Sequence, residues 1–355
     1  MAIEIEKSTK LSKTLKRVGI IGYGLAGRYF HAPLLQAAGF FVAAVASRTL
    51  EKRGDAHKDF PLAAILATAE ELVAEDLDLV VVASTNDFHS KHAKLAIDAG
   101  IPVVVDKPMG RDYFETLDLF DYADTAGIPI TVFFNRLFDS DTQTLRKIIG
   151  EQELGEVFKF ESRFERFRPE LNPNSWRESL ETEVGGGLLL DLQTHLISIS
   201  LSLFGPGKLT YASLRKIKGG PEDDVSLVLT HDSGVDSFLT ASSISGEIGP
   251  RIRMSGSKGT LIARDLDPQE NLLRSGLKPR KTGWPEPNLA TSEFTISRGD
   301  SRREFLGEPG NYVEFYNKIL DSLENGSEMP ITREFALQVA EIIDQARQSD
   351  LRRYS

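Results

Sequence analysis

The 355-residue chain contains no cysteine, which excludes disulfides, thiolate metal sites and thiol nucleophiles in one step. That absence fits a reducing compartment, and a cytoplasmic location is expected. Long hydrophobic runs are missing too, since no window approaches the roughly 20 uninterrupted apolar residues of a membrane span. Residues 1–16 carry basic side chains without a following apolar stretch of signal-peptide length, and the apolar segment behind them is broken by glycines; these residues are read as a loose tail. Lys and Arg number 42 against 52 Asp and Glu, a net charge of −10, and the basic residues form no run. A nucleic-acid footprint is therefore absent, and neither nucleic acid nor membrane is expected as a partner. There is no internal repeat or low-complexity tract. What is present is 41% apolar and 26% charged residues, the balance of a folded chain with a sizeable core, and the length favours two domains.

From Arg17 to Phe134, short β-branched runs ("RVGIIG", "FVAAVAS", "LDLVVVAS", "PVVVD", "IPITVFF") alternate with helical stretches at Leu25–Ala38, Ala69–Ala74, His89–Ala99 and Asp112–Ala126. The runs are continuously apolar, as strands buried on both faces should be. Repeated strand–helix units predict a doubly wound parallel sheet, a Rossmann arrangement, over residues 17–134. Beyond Asn135 the pattern changes. A helix near Asp139–Ile149 leads to "EVFKFESRFERFR", whose period of two demands one wet face. Strand candidates follow at Leu209–Lys218, Val225–Thr230, Val235–Ala241, Arg251–Ser255 and Thr260–Ala263, with turn signals "HDSG" and "GSKG" between them. Residues 135–355 are thus expected to form an α+β unit on a large, mainly antiparallel open sheet. Two helices close it, Asn311–Glu324 and Arg333–Ser349, the second capped by Thr332 and able to pack back on the first domain.

"GYGLAG" sets Gly22, Gly24 and Gly27, with Leu25 and Ala26 between them, in G-x-G-x-x-G spacing between a strand and a helix. Such a loop permits a tight turn, close approach of backbone to a pyrophosphate and helix packing, with the helix N-terminus facing the anion. An acidic residue about 20 positions on would bind the adenosine ribose. Here "SRT", Ser47, Arg48 and Thr49, stands at that place, with Lys52 and Arg53 behind. A guanidinium there can grip a 2′-phosphate that a carboxylate would repel, so NADP is expected over NAD, unless Arg48 is an ordinary surface arginine. Ser84, Thr85, Asn86 and His89 follow the fourth strand run and can line the same crevice.

"PVVVDKPMG" puts Asp106, Lys107 and Pro108 at the carboxyl end of a buried strand, where ligands of such sheets bind. Lys107 is either a solvated strand-end lysine or a proton-handling group in the crevice, and Pro108 is a candidate for a cis peptide. In "GGGLLLDLQTH", three glycines precede Asp191 and His195, whose four-residue spacing shares a helix face; core residues, metal ligands and a catalytic pair all fit. One carboxylate and one imidazole are too few for a usual metal site, and His89 and His92 lack further ligands, so no metal is expected. Trp176 and Arg177 either border the cofactor or form a core tryptophan with a structural arginine. His31 is read as structural.

The glycine loop, the "DKP" after the fifth strand run, and a glycine run leading to Asp-x-x-x-His together resemble the glucose–fructose oxidoreductase/inositol dehydrogenase/MocA (Gfo/Idh/MocA) family. "FERFRPE" (Phe164–Glu170), "WRE" (Trp176–Glu178), "LDPQE" (Leu266–Glu270) and "PGNYVEFY" (Pro309–Tyr316) are similar to the subgroup that includes NADP-dependent scyllo-inositol 2-dehydrogenases. The resemblance implies a catalytic set of Lys107, Asp191 and His195. In the mechanism the resemblance implies, His195 is expected to accept the hydroxyl proton of a cyclic polyol or sugar as hydride passes to the nicotinamide, with Asp191 and Lys107 positioning that hydroxyl. It also implies a homodimer or homotetramer through the open sheet. Phe134 stands where histidine is expected, Leu137 and Phe138 where arginine and tryptophan are common, Gln193 where a small residue is usual, and Ser198 where a carboxylate is frequent. These departures direct attention to Gln193 and Ser198 for substrate preference. The rival readings are the same chemistry on another sugar, a dihydrodiol or a small ketone, and a non-enzymatic NADP-binding sensor.

Overall fold

The computed structural model describes residues 15–351, with the side chains of 350 and 351 left aside. Its first sheet is parallel and six-stranded: β1 (Arg17–Ile21), β2 (Phe41–Ala46), β3 (Ala64–Leu66), β4 (Leu79–Val82), β5 (Val103–Asp106) and β6 (Ile130–Phe133), in the order β3-β2-β1-β4-β5-β6. The run of Leu79, Val80, Val81 and Val82, with Val103, Val104 and Val105 beside it, is fully buried, because helices cover both faces. Strand order reverses between β1 and β4, which opens a crevice at the carboxyl ends of the strands. Local chemistry sets the helix ends. Asp112 caps Tyr113–Ala126 by accepting from Glu115 N, and Gly127 closes that helix at φ 68°, a left-handed conformation suited to glycine.

Two elements of this sheet escape the sequence pattern. β3 has only three residues, none fully buried, and a short edge strand leaves little periodicity to read. The helix Leu50–Asp59 buries only Ala56; its stop–start polarity hides it, yet Thr49 caps it. The expected loose tail 1–16 is corrected at Lys16 alone. Residues 1–14 lie outside the described part, but Lys16 Nζ donates to Asp78 Oδ1 at 2.9 Å, and Lys16 O accepts Phe41 N at 2.9 Å.

The second sheet contains eight strands: β7 (Val157–Glu165), β8 (Gly207–Arg215), β9 (Asp224–His231), β10 (Asp236–Ser242), β11 (Ile252–Gly256), β12 (Gly259–Ala263), β13 (Glu293–Arg298) and β14 (Ser301–Leu306), ordered β14-β13-β12-β11-β7-β10-β9-β8. Every pairing is antiparallel except β10 with β7. The β13–β14 hairpin was not foreseen, since "SRREFL" carries the charges that blunt an exposed edge strand. Phe160, Leu227, Leu239, Met254, Leu261 and Ile296 are buried on one face, where the helix Thr194–Phe204 lies against β7 and β10 and the helix Arg333–Leu351 against β8. The opposite face is polar and open, where Glu161 bridges Lys159, Arg163 and Arg253.

The last helix returns to the first sheet's layer. Thr332 Oγ1 accepts Phe335 N at 3.3 Å as its cap, Asp344 accepts Tyr113 N at 3.0 Å, and Arg347 donates to Arg111 O at 2.8 Å. Just before it, Ile331 is pinned to buried Thr131 of β6: the hydroxyl donates to Ile331 O at 2.8 Å and accepts from Ile331 N at 3.3 Å. Replacing Thr131 with isosteric valine strands both Ile331 groups without changing volume. Urea unfolding of Thr131→Val should show a loss of about 1–3 kcal/mol; unchanged stability would mean this strap does not hold the C-terminal helix.

Candidate active site

The glycine loop is shaped by backbone crowding on one side and open space on the other. Gly22 has φ +99°, and a Cβ there would lie 2.5 Å from Ala83 O; one on Gly27 would lie 2.0 Å from Gly22 O, while one on Gly24 would meet nothing within 4 Å. The loop therefore needs glycine at its ends for geometry and leaves Gly24, Leu25 and Ala26 at the crevice mouth. The helix behind it runs over residues 25–38 and has a π turn at Gly27–His31, a local feature frequent at functional sites. These residues fit a dinucleotide.

At the end of β2, Arg48 is exposed and its guanidinium lies 4.8 Å from the Phe88 ring centroid, a cation–π distance. His92 stacks on Phe88 at 5.4 Å, and Ser84 Oγ meets His92 Nδ1 at 3.0 Å; burial pushes that imidazole down to about 4. Arg53 Nη1 donates to Ser47 O at 2.8 Å and Arg48 O at 3.1 Å, which holds the turn. Thr49 Oγ1 accepts Lys52 N at 3.4 Å, so this hydroxyl already caps a helix.

Two residues expected to line the cofactor also brace the crevice. His89 is buried, with Nδ1 2.8 Å from Pro108 O and Nε2 3.0 Å from Ser84 O, a strut between the ends of β4 and β5. Asn86 is buried and donates to Gly185 O at 3.1 Å, joining the crevice loop to the glycine run. Thr85 O accepts Phe88 N. The Lys107–Pro108 peptide is cis. Asp106 Oδ1 accepts Lys107 N at 2.8 Å and sits 3.9 Å from His31 Nε2. His31 Nδ1 meets Tyr316 OH at 2.6 Å, so His31 is a buried structural link.

The crevice and the second sheet meet at Asp191. Lys107 Nζ donates to Asp191 O at 2.6 Å and Oδ1 at 2.9 Å, and Arg177 Nε donates to the same Oδ1 at 3.0 Å. Burial alone would push this carboxyl up, but the Lys107 ammonium and Arg177 guanidinium hold it well below the usual carboxylate range. Arg177 also lies 4.4 Å from the Trp176 ring centroid. It therefore touches the Lys107–Asp191 pair directly, a role its position in "WRE" could not reveal.

The glycine run is built for this placement. Gly185 has φ +112°, and a Cβ there would press on Asn86 Cβ at 3.1 Å; one on Gly186 would lie 1.9 Å from Leu180 O, and one on Gly187 2.1 Å from Glu222 Oε1. Buried Glu222, missed in the sequence because "PEDD" reads as a turn, accepts Leu189 N at 3.0 Å and the Thr182 hydroxyl. Burial pushes its carboxyl up. Leu189–Gln193 is a π turn, followed by the α-helix Thr194–Phe204.

His195 is 7% exposed, and its Nδ1 has no hydrogen-bond partner among the described residues. Burial first, then the Lys107 and Arg136 charges, push its pKa well below the ordinary imidazole value, against the opposing pull of Asp191. The ring lies 6.1 Å from Phe164, whose own ring meets the Arg251 guanidinium at 4.0 Å and that of Arg136 at 5.2 Å. A neutral imidazole beside an ionised carboxylate and a lysine can take a proton from a hydroxyl. The departures flagged for substrate preference need correction. Gln193 Nε2 donates to Val225 O and Leu239 O, and Ser198 Oγ donates to His195 O. Phe134 packs on Phe335 and Phe138 on Phe315, and Leu137 is buried. All five are core residues. Among the described residues no three His, Asp or Glu side chains gather as a metal cage, and no helix is long and apolar enough to cross a membrane.

A Rossmann-type crevice that faces a half-buried lysine, a buried carboxylate and a buried neutral imidazole defines the class of nicotinamide-dependent oxidoreductases. The chain belongs to the GFO_IDH_MocA oxidoreductase family: the family's NAD-binding Rossmann fold matches residues 16–134 and its C-terminal alpha/beta domain residues 146–353. It is 33% identical to scyllo-inositol 2-dehydrogenase (NADP(+)) IolW of Bacillus subtilis, over 98% of this chain and 97% of that protein. It is 34% identical to the Escherichia coli oxidoreductase YdgJ, over 92% and 94% of the two chains. The solved Bacillus subtilis oxidoreductase yvaA superposes with a TM-score of 0.85 at 30% identity, over 95% of this chain and 96% of that one.

The charge arrangement is testable without turnover. In Lys107→Met, loss of the ammonium should raise the His195 pKa toward the ordinary imidazole value, read from histidine ring resonances in an NMR titration. An unmoved or lowered His195 titration would show that Lys107 does not govern this imidazole.

Proposed function

We propose that the protein transfers hydride between NADP and a ring carbon of a cyclic polyol or sugar, with Lys107, Asp191 and His195 as its catalytic set. The observation that carries this reading is the pairing of buried Asp191 with Lys107 and Arg177, at 2.9 and 3.0 Å, next to a neutral His195. A bound nicotinamide supplies the hydride acceptor. His195 accepts the hydroxyl proton, for which its low pKa keeps it available, and Lys107, fixed on Asp191, donates to the hydroxyl oxygen and stabilises charge developing there. Gly22, Gly24, Leu25, Ala26 and Gly27 hold the pyrophosphate; the crevice ends of β4 and β5, with Trp176 and Arg177, border the nicotinamide side.

NADP is favoured over NAD because Ser47, Arg48 and Thr49 place a guanidinium and hydroxyls, with no carboxylate, where the adenosine ribose binds. The naming of the Bacillus subtilis relative as an NADP enzyme and of a Haloferax volcanii relative as a D-xylose 1-dehydrogenase (NADP(+)) supports both cofactor and substrate class. Bovine trans-1,2-dihydrobenzene-1,2-diol dehydrogenase is 26% identical over 80% of this chain, which keeps dihydrodiols as the alternative substrate. A division of the chain near Phe134 into cofactor and substrate domains, pairing of protomers through the open face of the second sheet, and a cytoplasmic location complete the reading.

Spectroscopic screening of NADP and NAD reduction with inositols, monosaccharides and dihydrodiols tests the reaction class; tight NADP binding with no turnover across the panel would make the protein a sensor instead. His195→Ala should abolish turnover while leaving cofactor affinity intact, and near-normal turnover would remove His195 from the mechanism. Arg48→Ala should weaken NADP by roughly 1–3 kcal/mol, the worth of charge-assisted contacts, and leave NAD little changed; equal losses would count against the 2′-phosphate assignment.

A further inference from the structure

The catalytic set accounts for the proton and the hydride but leaves one cation beside it unused. Arg166 follows the last residue of β7 and continues its ladder: its N donates to Ser242 O at 3.0 Å, its O accepts Ser245 N at 3.1 Å, and Arg168 N donates to Ser243 O at 2.6 Å. Side chains two apart on extended backbone share a face. Phe164, two residues earlier, faces His195 at 6.1 Å, so Arg166 is aimed into the same space.

Its guanidinium has no protein acceptor. Nε is fully covered and has no hydrogen-bond partner, and the side chain makes no hydrogen bond or ion pair among the described residues. The carboxylates within electrostatic reach of it are Asp191 and Glu178. Asp191 is already held by Lys107 and Arg177, and Glu178 by Lys218 at 2.9 Å and by Asn172 N at 3.0 Å. Arg136 and Arg251, which flank Phe164, each already have acceptors: Arg136 holds Asp139 and Glu270, and Arg251 holds Ser162 and Arg163 O through Nη1, with its Nε and Nη2 covered and without a hydrogen-bond partner. Leaving a half-buried guanidinium without an acceptor is costly, and a planar fork of N–H groups is suited to two neighbouring oxygens.

We propose that Arg166 is a specificity-determining residue that donates to a pair of neighbouring oxygen acceptors on the substrate, while His195 and Lys107 act on the reacting hydroxyl. This rests on the reading of the cleft as a polyol or sugar dehydrogenase site. It gives that site a reason to prefer oxygen-rich substrates: an alcohol without the second oxygen pair leaves Arg166 unsatisfied. The oxygen pair comes either from vicinal hydroxyls of a neutral ring or from the carboxylate of a sugar acid.

The experiment compares wild type, Arg166→Met and Arg166→Lys in steady-state kinetics with NADP, using scyllo- and myo-inositol as neutral arms and glucuronate as the acidic arm. NADP affinity is measured separately by fluorescence, and folding by thermal melting. On the arm that wild type uses, Arg166→Met should lose roughly 10- to 100-fold in kcat/KM, chiefly through KM, with NADP affinity unchanged. Arg166→Lys should recover part of that loss, since it restores a donor without the fork. The arm affected identifies the oxygen source. A KM within twofold of wild type in Arg166→Met, or a loss confined to NADP affinity, would overturn the assignment, as would an Arg166→Met protein that melts like wild type yet loses kcat alone. Wild type inactive on every arm would instead overturn the polyol reading on which this one rests.

Discussion

A single carboxylate holds the functional geometry together. Asp191 is buried where the parallel sheet's crevice meets the second sheet, and burial on its own disfavours its charge. The Lys107 ammonium and Arg177 guanidinium, at 2.9 and 3.0 Å from the same oxygen, reverse that preference. Such a cluster adds little net stability, because desolvation offsets much of the attraction. Its effect is geometric, since a lysine with a flexible four-carbon stem is pinned at both the carboxylate and the carbonyl of one residue. The same charges act on His195: Lys107 opposes protonation of the imidazole, which stays ready to accept a proton.

Placing Asp191 takes a backbone that most residues cannot adopt. Gly185 and Gly187 both have positive φ, and all three glycines of the run abut other groups so closely that a Cβ would collide. Glu222 grips the start of the π turn through Leu189 N, and Asn86 grips the run's first carbonyl from the crevice side. The Asp191 carboxylate is therefore anchored on both sides, once to the Rossmann layer and once to the second sheet. Asn86 and His89, expected along the crevice after β4, also tie its strand ends to the glycine run and to Pro108.

Much of this was legible in the residues. Continuous valine runs announced buried parallel strands, period-two alternation announced a sheet with a wet face, and the glycine spacing announced a phosphate loop. Lys107, Asp191 and His195 stood out because their residue types are chemically costly in those surroundings. Less visible were elements whose signal is tertiary. The three-residue β3 is too short for periodicity, the Leu50–Asp59 helix is almost wholly polar, and β14 disguises itself with edge charges. At the site, Arg177 and Glu222 lie far from Lys107 in sequence and show their roles only through contacts. Gln193 and Ser198 misled for the opposite reason: a polar side chain near His195 suggests a pocket, but backbone carbonyls of the core accept the Gln193 amide N–H groups and the Ser198 hydroxyl.

The most direct measurement is a crystal structure of the protein with NADP and the polyol or ketone identified by turnover. The account predicts the nicotinamide C4 and the His195 imidazole on the same substrate carbon and its oxygen, with Lys107 still on Asp191 and within hydrogen-bond reach of that oxygen. A nicotinamide bound away from His195, or a substrate oxygen that meets neither His195 nor Lys107, would contradict it.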